Sequence, residues 1–139
     1  MLRSVLAVTA GVLIGVTVVI YGAFIVAQMI PAGDGVPPTQ LSGLKSLPLA
    51  NQFGVVGVWL IGAFLGSVVA SFFGRRWAPA SWVVAATMGL FAVSNFTSDP
   101  APLWVQAMSV SAIAAGGWLA VKMTSARYGA PPTKPKPGL

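Results

Sequence analysis

The sequence predicts an all-α integral membrane protein built as a bundle of four transmembrane helices. Hydrophobic residues make up 56% of the 139 residues and charged residues only 7%. A soluble globular domain carries about 25% charged residues, so this composition is typical of a protein surrounded by lipid. Apolar runs that match the roughly 30 Å hydrocarbon core of a bilayer recur along the chain. Within them, small residues repeat every four positions, as in membrane helices that pack closely.

The first apolar run predicts a helix over about residues 4–29. The apolar region of a secretory signal peptide is only about 7–15 residues long, and a small-residue cleavage site follows it. This run is longer, and no Ala-x-Ala pattern comes after it. We therefore expect the segment to be a retained transmembrane helix.

The second helix is predicted over about residues 52–73, where an apolar run about 19 to 21 residues long stops at Arg75 and Arg76. The preceding residues, 31–52, are rich in glycine and proline and predict the largest loop of the chain. Within this loop, leucines spaced by three favour a short helical turn over residues 39–47.

The third helix is predicted over about residues 80–96, after a short turn at Trp77-Ala78-Pro79, and the fourth over about residues 103–123. Together the four helices form one transmembrane domain, residues 1–128. Residues 129–139 are rich in proline and lysine and predict an extended cytoplasmic tail without an apolar face to bury.

Small residues at helical spacing predict the faces on which the helices pack. These residues are Gly11, Gly15 and Gly22 in the first helix, Gly62, Gly66, Ala70 and Gly74 in the second, Gly89 in the third, and Ala112, Gly116 and Ala120 in the fourth. We expect Gly66→Leu to destabilise the protein more than Phe64→Leu does. Val58 and Phe64 are expected to lie off the glycine face.

The charged residues predict the orientation of the chain in its membrane. With four crossings, seven basic residues fall on the side of the termini: Arg3, Arg75, Arg76, Lys122, Arg127, Lys134 and Lys136. The other side holds Lys45, Asp34 and Asp99. Since basic residues favour the cytoplasmic side, both termini are predicted to be cytoplasmic. The net charge of +6 therefore reflects topology and contact with lipid headgroups, and we expect no nucleic-acid partner.

The residue types argue against catalysis. The chain has no cysteine and no histidine, which removes the commonest metal ligands, general bases and thiol nucleophiles. The two carboxylates, Asp34 and Asp99, would form an acid pair only if the fold brought them together. No charged residue lies in the middle of an apolar run, whereas proton-coupled transporters need such residues. We predict that the protein is not an enzyme and binds no metal.

Three residues are candidates for contact with a ligand or a partner. Trp59 lies deeper than an interfacial tryptophan should, so it is either a packing residue or a platform for a pigment, a quinone or a lipid tail. Asn95, near the end of the third helix, either ties helix ends together or lines a ligand site. Trp104 begins the fourth helix at the interface. We expect no dedicated cofactor.

Several short motifs occur in a fixed order along the chain: Pro31-Ala32-Gly33-Asp34, Leu47-Pro48, the run from Trp59 to Gly66, Gly74-Arg75-Arg76, Asn95 and Pro100-Ala101-Pro102-Leu103-Trp104. On these motifs the chain resembles a family of small, uncharacterised bacterial inner-membrane proteins with four helices. The resemblance covers about residues 10–123. Members of the family often have a glutamate and a histidine near the outer end of the first helix, where this chain has Tyr21 and Gln28. The resemblance implies a four-helix fold in a bacterial inner membrane and no particular activity.

Two functions from different classes fit these observations. The first is a non-catalytic accessory or structural subunit of a larger membrane complex, respiratory or photosynthetic in kind, with other membrane subunits or a second copy as partners. The alternative is a small transporter or channel. Because four short helices enclose little volume, this alternative requires several copies, with Gln28, Asn95 and Gln106 at the outer mouth.

Overall fold

The computed structural model describes residues 2–29, 48–98 and 101–129, and only the backbone of residues 2 and 3. These residues form four helices, α1 (Leu2–Met29), α2 (Leu49–Phe73), α3 (Ala78–Ser98) and α4 (Leu103–Met123). All four are long and apolar enough to cross a membrane, and they fit a multi-pass membrane protein. The prediction of an all-α bundle of four such helices is confirmed. The loop helical turn at 39–47, residues Asp34, Lys45 and Asp99, and the tail from residue 130 onward lie outside the described residues.

The starts of α1, α2 and α3 and the end of α3 differ from the predicted boundaries by two or three residues, and prolines explain the starts of α2 and α3. α2 begins directly after Pro48, whose carbonyl accepts hydrogen bonds from the Asn51 and Gln52 amides. α3 includes Pro79 in its first turn, where no helical partner is needed for an N–H, so a proline is tolerated there. α3 is therefore 21 residues long, about 31 Å at 1.5 Å per residue.

α2 and α3 form the centre of the bundle. Each of them contacts all three other helices, whereas α1 and α4, within the described residues, do not contact each other. In cross-section the bundle is therefore a rhombus whose short diagonal joins α2 to α3. Helices along that diagonal close the centre of the bundle, so a single copy encloses no lumen between α1 and α4.

The core along this diagonal consists of apolar side chains from α2, α3 and α4. Met88 and Val84 of α3 are fully buried, and Val105 and Ile113 of α4 close the other side. On α3 the buried positions Ser81, Ala85, Met88, Ala92 and Phe96 follow one another in steps of three or four residues. Such spacing keeps one face of a helix turned toward its neighbours.

Three buried serines join α2 to α3. The Ser67 hydroxyl donates to the Ser81 carbonyl at 3.2 Å, and the Ser81 hydroxyl donates to the Ser67 carbonyl at 3.0 Å. The Ser71 hydroxyl is hydrogen-bonded to the Ser81 hydroxyl. All three side chains have no solvent exposure. Since a polar group in an apolar interior is stable only when it is paired, these reciprocal bonds set the register of the two helices.

Candidate functional site

α2 and α4 end at the same end of the bundle, called the basic end here because Arg75, Arg76, Lys122 and Arg127 all lie at it. Both helices end in the same hydrogen-bond pattern. The Arg76 amide donates to the Ser71 carbonyl at 2.7 Å, and the Ala126 amide donates to the Val121 carbonyl at 3.0 Å. An amide bonded to the carbonyl five residues back is the mark of a Schellman cap, which directs the chain sharply away from the helix axis.

The residue that makes this turn is not glycine in either helix. Arg75 has φ 58° and Ser125 has φ 49°, and Arg76 continues the left-handed conformation with φ 59°. A residue with a Cβ pays about 1–2 kcal/mol for this conformation. Such backbone persists only where surrounding contacts hold it, and these contacts are present at the basic end.

The contacts come from residues 124–129, called the return segment here, which runs beside the turn between α2 and α3. The Arg127 amide donates to the Arg76 carbonyl at 2.8 Å, and the Ala78 amide donates to the Arg127 carbonyl at 3.0 Å. Trp77 and Arg127 thereby form an isolated parallel β-bridge. The bridge links the end of α4 to the beginning of α3.

Two tryptophans hold the return segment from the other side. The Trp77 indole N–H donates to the Gly129 carbonyl at 2.8 Å, and the Trp82 indole N–H donates to the Tyr128 hydroxyl at 3.0 Å. No local sequence pattern assigns either tryptophan a partner. The structure gives each indole a specific acceptor some 50 residues further along the chain.

Two adjoining cavities open between these elements. The larger, called the arginine cavity here, has a volume of about 630 Å³ and is lined by Arg75, Arg76, Trp77, Ser125, Arg127, Tyr128 and Gly129. The smaller, called the lysine cavity here, has a volume of about 370 Å³ and is lined by Trp118, Val121, Lys122, Ser125, Ala126 and Tyr128. Ser125 and Tyr128 line both cavities.

The chemistry of both cavities is that of an anion site. A guanidinium presents a planar fork of N–H donors that matches a phosphate or a carboxylate, and Arg76 and Arg127 are both exposed. In the lysine cavity the Lys122 ammonium lies 5.6 Å from the centre of the Trp118 ring, within the range of a cation–π contact. The C-terminal ends of α2 and α4 are the negative ends of their dipoles, and they therefore stabilise the basic side chains at this end of the bundle.

Sequence reasoning selected the basic residues of this end as topology markers and missed the residues that make a cavity from them. Arg75, Arg76, Lys122 and Arg127 do lie at one end, and Arg3 falls on the first turn of α1 at the same end. The missed residues are Ser125, Tyr128 and Gly129, which follow α4. No local pattern signals that this segment folds back onto the α2–α3 turn.

Of the three candidate contact residues, Trp59 lies in the core. Its side chain is only 3% exposed, and its rings lie 6.0 Å from Phe91 and 6.4 Å from Phe96, centre to centre. These tilted aromatic contacts leave the indole no open face within the bundle. Of the two interpretations weighed for Trp59, the structure fits the packing residue.

The end of the bundle opposite the basic end holds Asn95 and Trp104. Asn95 is exposed, whereas Asn51 and Gln52 at the beginning of α2 are the buried amides of this end, 4% and 6% exposed. The sequence prediction named Asn95, and the structure shows that this residue is exposed. Trp104 is half-buried and packs against Phe53, with ring centres 5.2 Å apart. It therefore joins the beginnings of α2 and α4.

The predicted glycine faces of α1 and α2 meet each other, forming what is called the glycine seam here. A Cβ built on Gly11 would lie 2.5 Å from the Gly66 carbonyl oxygen, and one on Gly66 would lie 2.5 Å from the Gly11 oxygen. Gly15 and Gly62 face each other in the same way, at 3.0 and 2.9 Å. At such distances only hydrogen fits, so the two backbones are in direct contact.

The seam extends in both directions along α2. Ala70 is fully buried, with its Cβ 3.0 Å from a Cβ built on Gly11. At the other end Gly22 meets the Val58 side chain, 2.8 Å from a built Cβ. The expectation that Val58 lies off the glycine face was therefore wrong. Val58, Gly62 and Gly66 are four residues apart and share one face.

The remaining small residues divide into packed and open positions. A Cβ on Gly116 would lie 2.8 Å from the Leu60 carbonyl oxygen of α2. Ala120 is fully buried, Ala112 is half-buried, and Gly74 caps α2. Gly89 differs from all of these, because a Cβ built there would meet nothing within 4 Å. The four-residue spacing from Ala85 advances about 40° past a full turn, which carries Gly89 out of the core of this chain.

No family model matches the chain, and neither a curated protein nor a solved structure matches it. The resemblance to small four-helix inner-membrane proteins therefore stays a prediction. A function for the chain has to be inferred from its own sequence and structure.

Proposed function

We propose that this protein is a non-catalytic accessory or structural subunit of a larger membrane complex. The observation that carries the proposal is a set of small residues on the outward side of α3 and α4, called the groove here. Gly89 opens onto it without a neighbour within 4 Å of a built Cβ, and Ala86, Ala107 and Ala114 beside it are exposed.

The groove borders the line along which α3 and α4 pack. A Cβ built on Gly117 would lie 2.9 Å from the Ala85 side chain, so these two residues mark the contact between the helices. Gly89 follows Ala85 by one turn, and Ala114 precedes Gly117 by one turn, so both border its outer side. Small side chains at such a position let the backbone of another membrane helix approach closely.

For the orientation, we propose that the basic end faces the cytoplasm of a bacterial cell, with both termini on the cytoplasmic side of the inner membrane. The described cations Arg75, Arg76, Lys122 and Arg127 share that end, and basic residues are enriched on the cytoplasmic side of membrane proteins. A reporter fused after Lys45 and another at the C-terminus test this. Cytoplasmic activity of the Lys45 fusion would refute the orientation.

The size of the native assembly tests the subunit proposal. The tagged full-length chain, extracted from its host membrane in a mild detergent, should migrate on a native gel with a stoichiometric second protein. Gly89→Leu places a large side chain in the groove and should release most of the tagged chain as the free 14.2 kDa protein.

Gly57→Leu is the matched control, since a Cβ at Gly57 in α2 also meets nothing within 4 Å. It makes the same chemical change on another side of the bundle and should leave the complex intact. A wild-type chain that runs only as a monomer or homodimer would refute the subunit proposal.

Migration as a larger homo-oligomer would favour the alternative, a small transporter or channel. Because α2 and α3 close the centre of each copy, the path would have to lie between copies. A liposome flux assay on the purified protein, with Asn95→Ala for comparison, then decides. Flux no greater than that of empty liposomes would eliminate the alternative.

A further inference from the structure

We propose that the arginine cavity binds the phosphate of an anionic phospholipid from the membrane leaflet at the basic end. This site goes beyond the proposed subunit function and does not depend on it. Three features of the cavity support lipid binding: its rigid walls, the hydrogen-bond donors that they present and the exposed apolar side chains beside them.

The walls of the cavity are held in place before any ligand binds. The Arg76 and Arg127 backbones are joined at 2.8 Å, and Trp77 ties Gly129 into the same wall at 2.8 Å. Both guanidinium groups therefore extend from a fixed backbone. A site whose donors are already positioned loses less entropy on binding than one that must assemble around its ligand.

The donors suit a phosphate. Arg76 and Arg127 each offer a fork of N–H groups that can bind two phosphate oxygens at once. The Tyr128 hydroxyl accepts its hydrogen bond from the Trp82 indole at 3.0 Å, so its own proton can be donated to a ligand. The cavity volume of about 630 Å³ exceeds that of a phosphate group alone and leaves room for the glycerol part of a headgroup.

The surface next to the cavity favours a lipid over a soluble phosphate compound. Phe72 and Phe73, at the end of α2, are each 62% exposed, and Met123 at the end of α4 is 72% exposed. These side chains lie within one turn of the arginines and the return segment. They form an apolar surface along which acyl chains can lie while the headgroup enters the cavity. Tryptophan and tyrosine at this level are typical of the lipid headgroup region.

Native mass spectrometry of the purified full-length chain in detergent tests the site, with phosphatidylglycerol as the probe. Phosphatidylcholine, which is zwitterionic, and glycerol 3-phosphate, which has no acyl chains, are the two reference ligands. We expect phosphatidylglycerol to bind at least tenfold more tightly than either. Equal binding of phosphatidylcholine would overturn the proposal, and so would equal binding of glycerol 3-phosphate, which would identify a soluble anion site.

The double variant Arg76→Gln with Arg127→Gln should weaken phosphatidylglycerol binding about 25-fold, since each basic residue near an anionic lipid contributes about a factor of five. The matched control, Lys134→Gln with Lys136→Gln, removes the same charge from the tail and should change binding less than threefold. Equal losses in the two double variants would mean attraction by net charge alone and would overturn the site.

A single variant guards against misfolding of the double one. Arg127→Lys keeps the charge and the backbone bridge but removes the planar fork, so it should weaken phosphatidylglycerol binding severalfold without changing the helix content seen by circular dichroism. Unchanged binding by Arg127→Lys would refute the assignment of Arg127 as a phosphate ligand.

Discussion

The glycine seam joins α1 to α2, and the basic end joins the return segment after α4 to the α2–α3 turn, by opposite means. In the seam, Gly11 and Gly15 touch Gly66 and Gly62 through backbone atoms alone. At the basic end, backbone amides and two indoles form directed hydrogen bonds between segments about 50 residues apart. The difference follows from the surroundings. In lipid the hydrophobic effect does not drive helices together, so close contact between small residues must do so. At the interface, polar groups can pair across the chain.

The buried serines share one property with each of these two regions. Ser67, Ser71 and Ser81 are buried like the seam but hydrogen-bonded like the basic end. The three regions are therefore expected to respond to mutation with effects that differ in size and even in sign. The expected change in stability is largest at Gly66, intermediate at Ser81 and smallest at Ser125.

Gly66→Leu should have the largest effect. Even the Cβ would lie 2.5 Å from the Gly11 carbonyl oxygen, and backbone atoms on a rigid helix cannot yield as a side chain can. Overpacking a tight interior costs about 1–3 kcal/mol and occasionally more, and we expect a loss of about 3 kcal/mol or greater. Thermal unfolding in detergent should show a fall of roughly 10 °C in melting temperature.

The same substitution at Gly57 provides the comparison. That position lies in α2 but opens onto free space, so Gly57→Leu should change the melting temperature little. If Gly66→Leu and Gly57→Leu have the same melting temperature, the contact between α1 and α2 is not a significant source of stability. The contrast between the glycine seam and the basic end then fails.

Ser81→Ala should have an intermediate effect. It removes the hydroxyl that donates to the Ser67 carbonyl and pairs with Ser71. Hydrogen bonds between membrane helices are worth about 0.6 kcal/mol on average, so losing both should cost about 1 kcal/mol in the free energy of unfolding, measured by titration with a denaturing detergent.

Ser111→Ala is the matched change for Ser81→Ala, because the Ser111 hydroxyl donates only to the Ala107 carbonyl of its own helix. It should leave the unfolding free energy within a few tenths of a kcal/mol of wild type. A cost for Ser111→Ala equal to that of Ser81→Ala would show that the bonds between helices carry no extra stability.

Ser125→Gly should have the smallest effect and the opposite sign. Ser125 adopts φ 49° at the cap of α4, and glycine takes this conformation without a Cβ penalty. The larger freedom of glycine in the unfolded chain offsets part of the gain. We expect a net stabilisation of about 0.5 kcal/mol and slower amide hydrogen exchange in residues 124–129. Unchanged exchange would mean that the return segment does not depend on this turn, and faster exchange would contradict the predicted stabilisation.

The residues at which the predictions succeeded and failed show which information is local. Helix number and the shared end of the described basic residues followed from hydropathy, prolines and arginines, all of which act within a few residues. Gly11, Gly62 and Gly66 were placed correctly on packing faces because small residues in membrane helices usually pack. Val58 was misplaced, and Gly89 packs against no described residue of this chain, because a four-residue spacing drifts around the helix and its contacts depend on how neighbouring helices cross.

The candidate site shows the same division. The arginines could be identified from the sequence because charge is scarce in this chain. Tyr128 and Gly129 could not, since nothing near them predicts that residues 124–129 return to the α2–α3 turn. Asn95 was named as a candidate from its helix position alone, whereas its exposure and the burial of Asn51 and Gln52 depend on how the helices pack.

The sequence by itself determined that the chain forms four helices long and apolar enough to cross a membrane and that its described basic residues gather at one end, because apolar length, helix breakers and charge are properties of short segments. Only the tertiary structure decided that Gly11 meets Gly66, that Trp59 turns into the core against Phe91 and Phe96, and that the return segment builds a cavity from Arg76 and Arg127. Those outcomes depend on the crossing and rotation of whole helices, which are set by contacts between residues far apart in the chain.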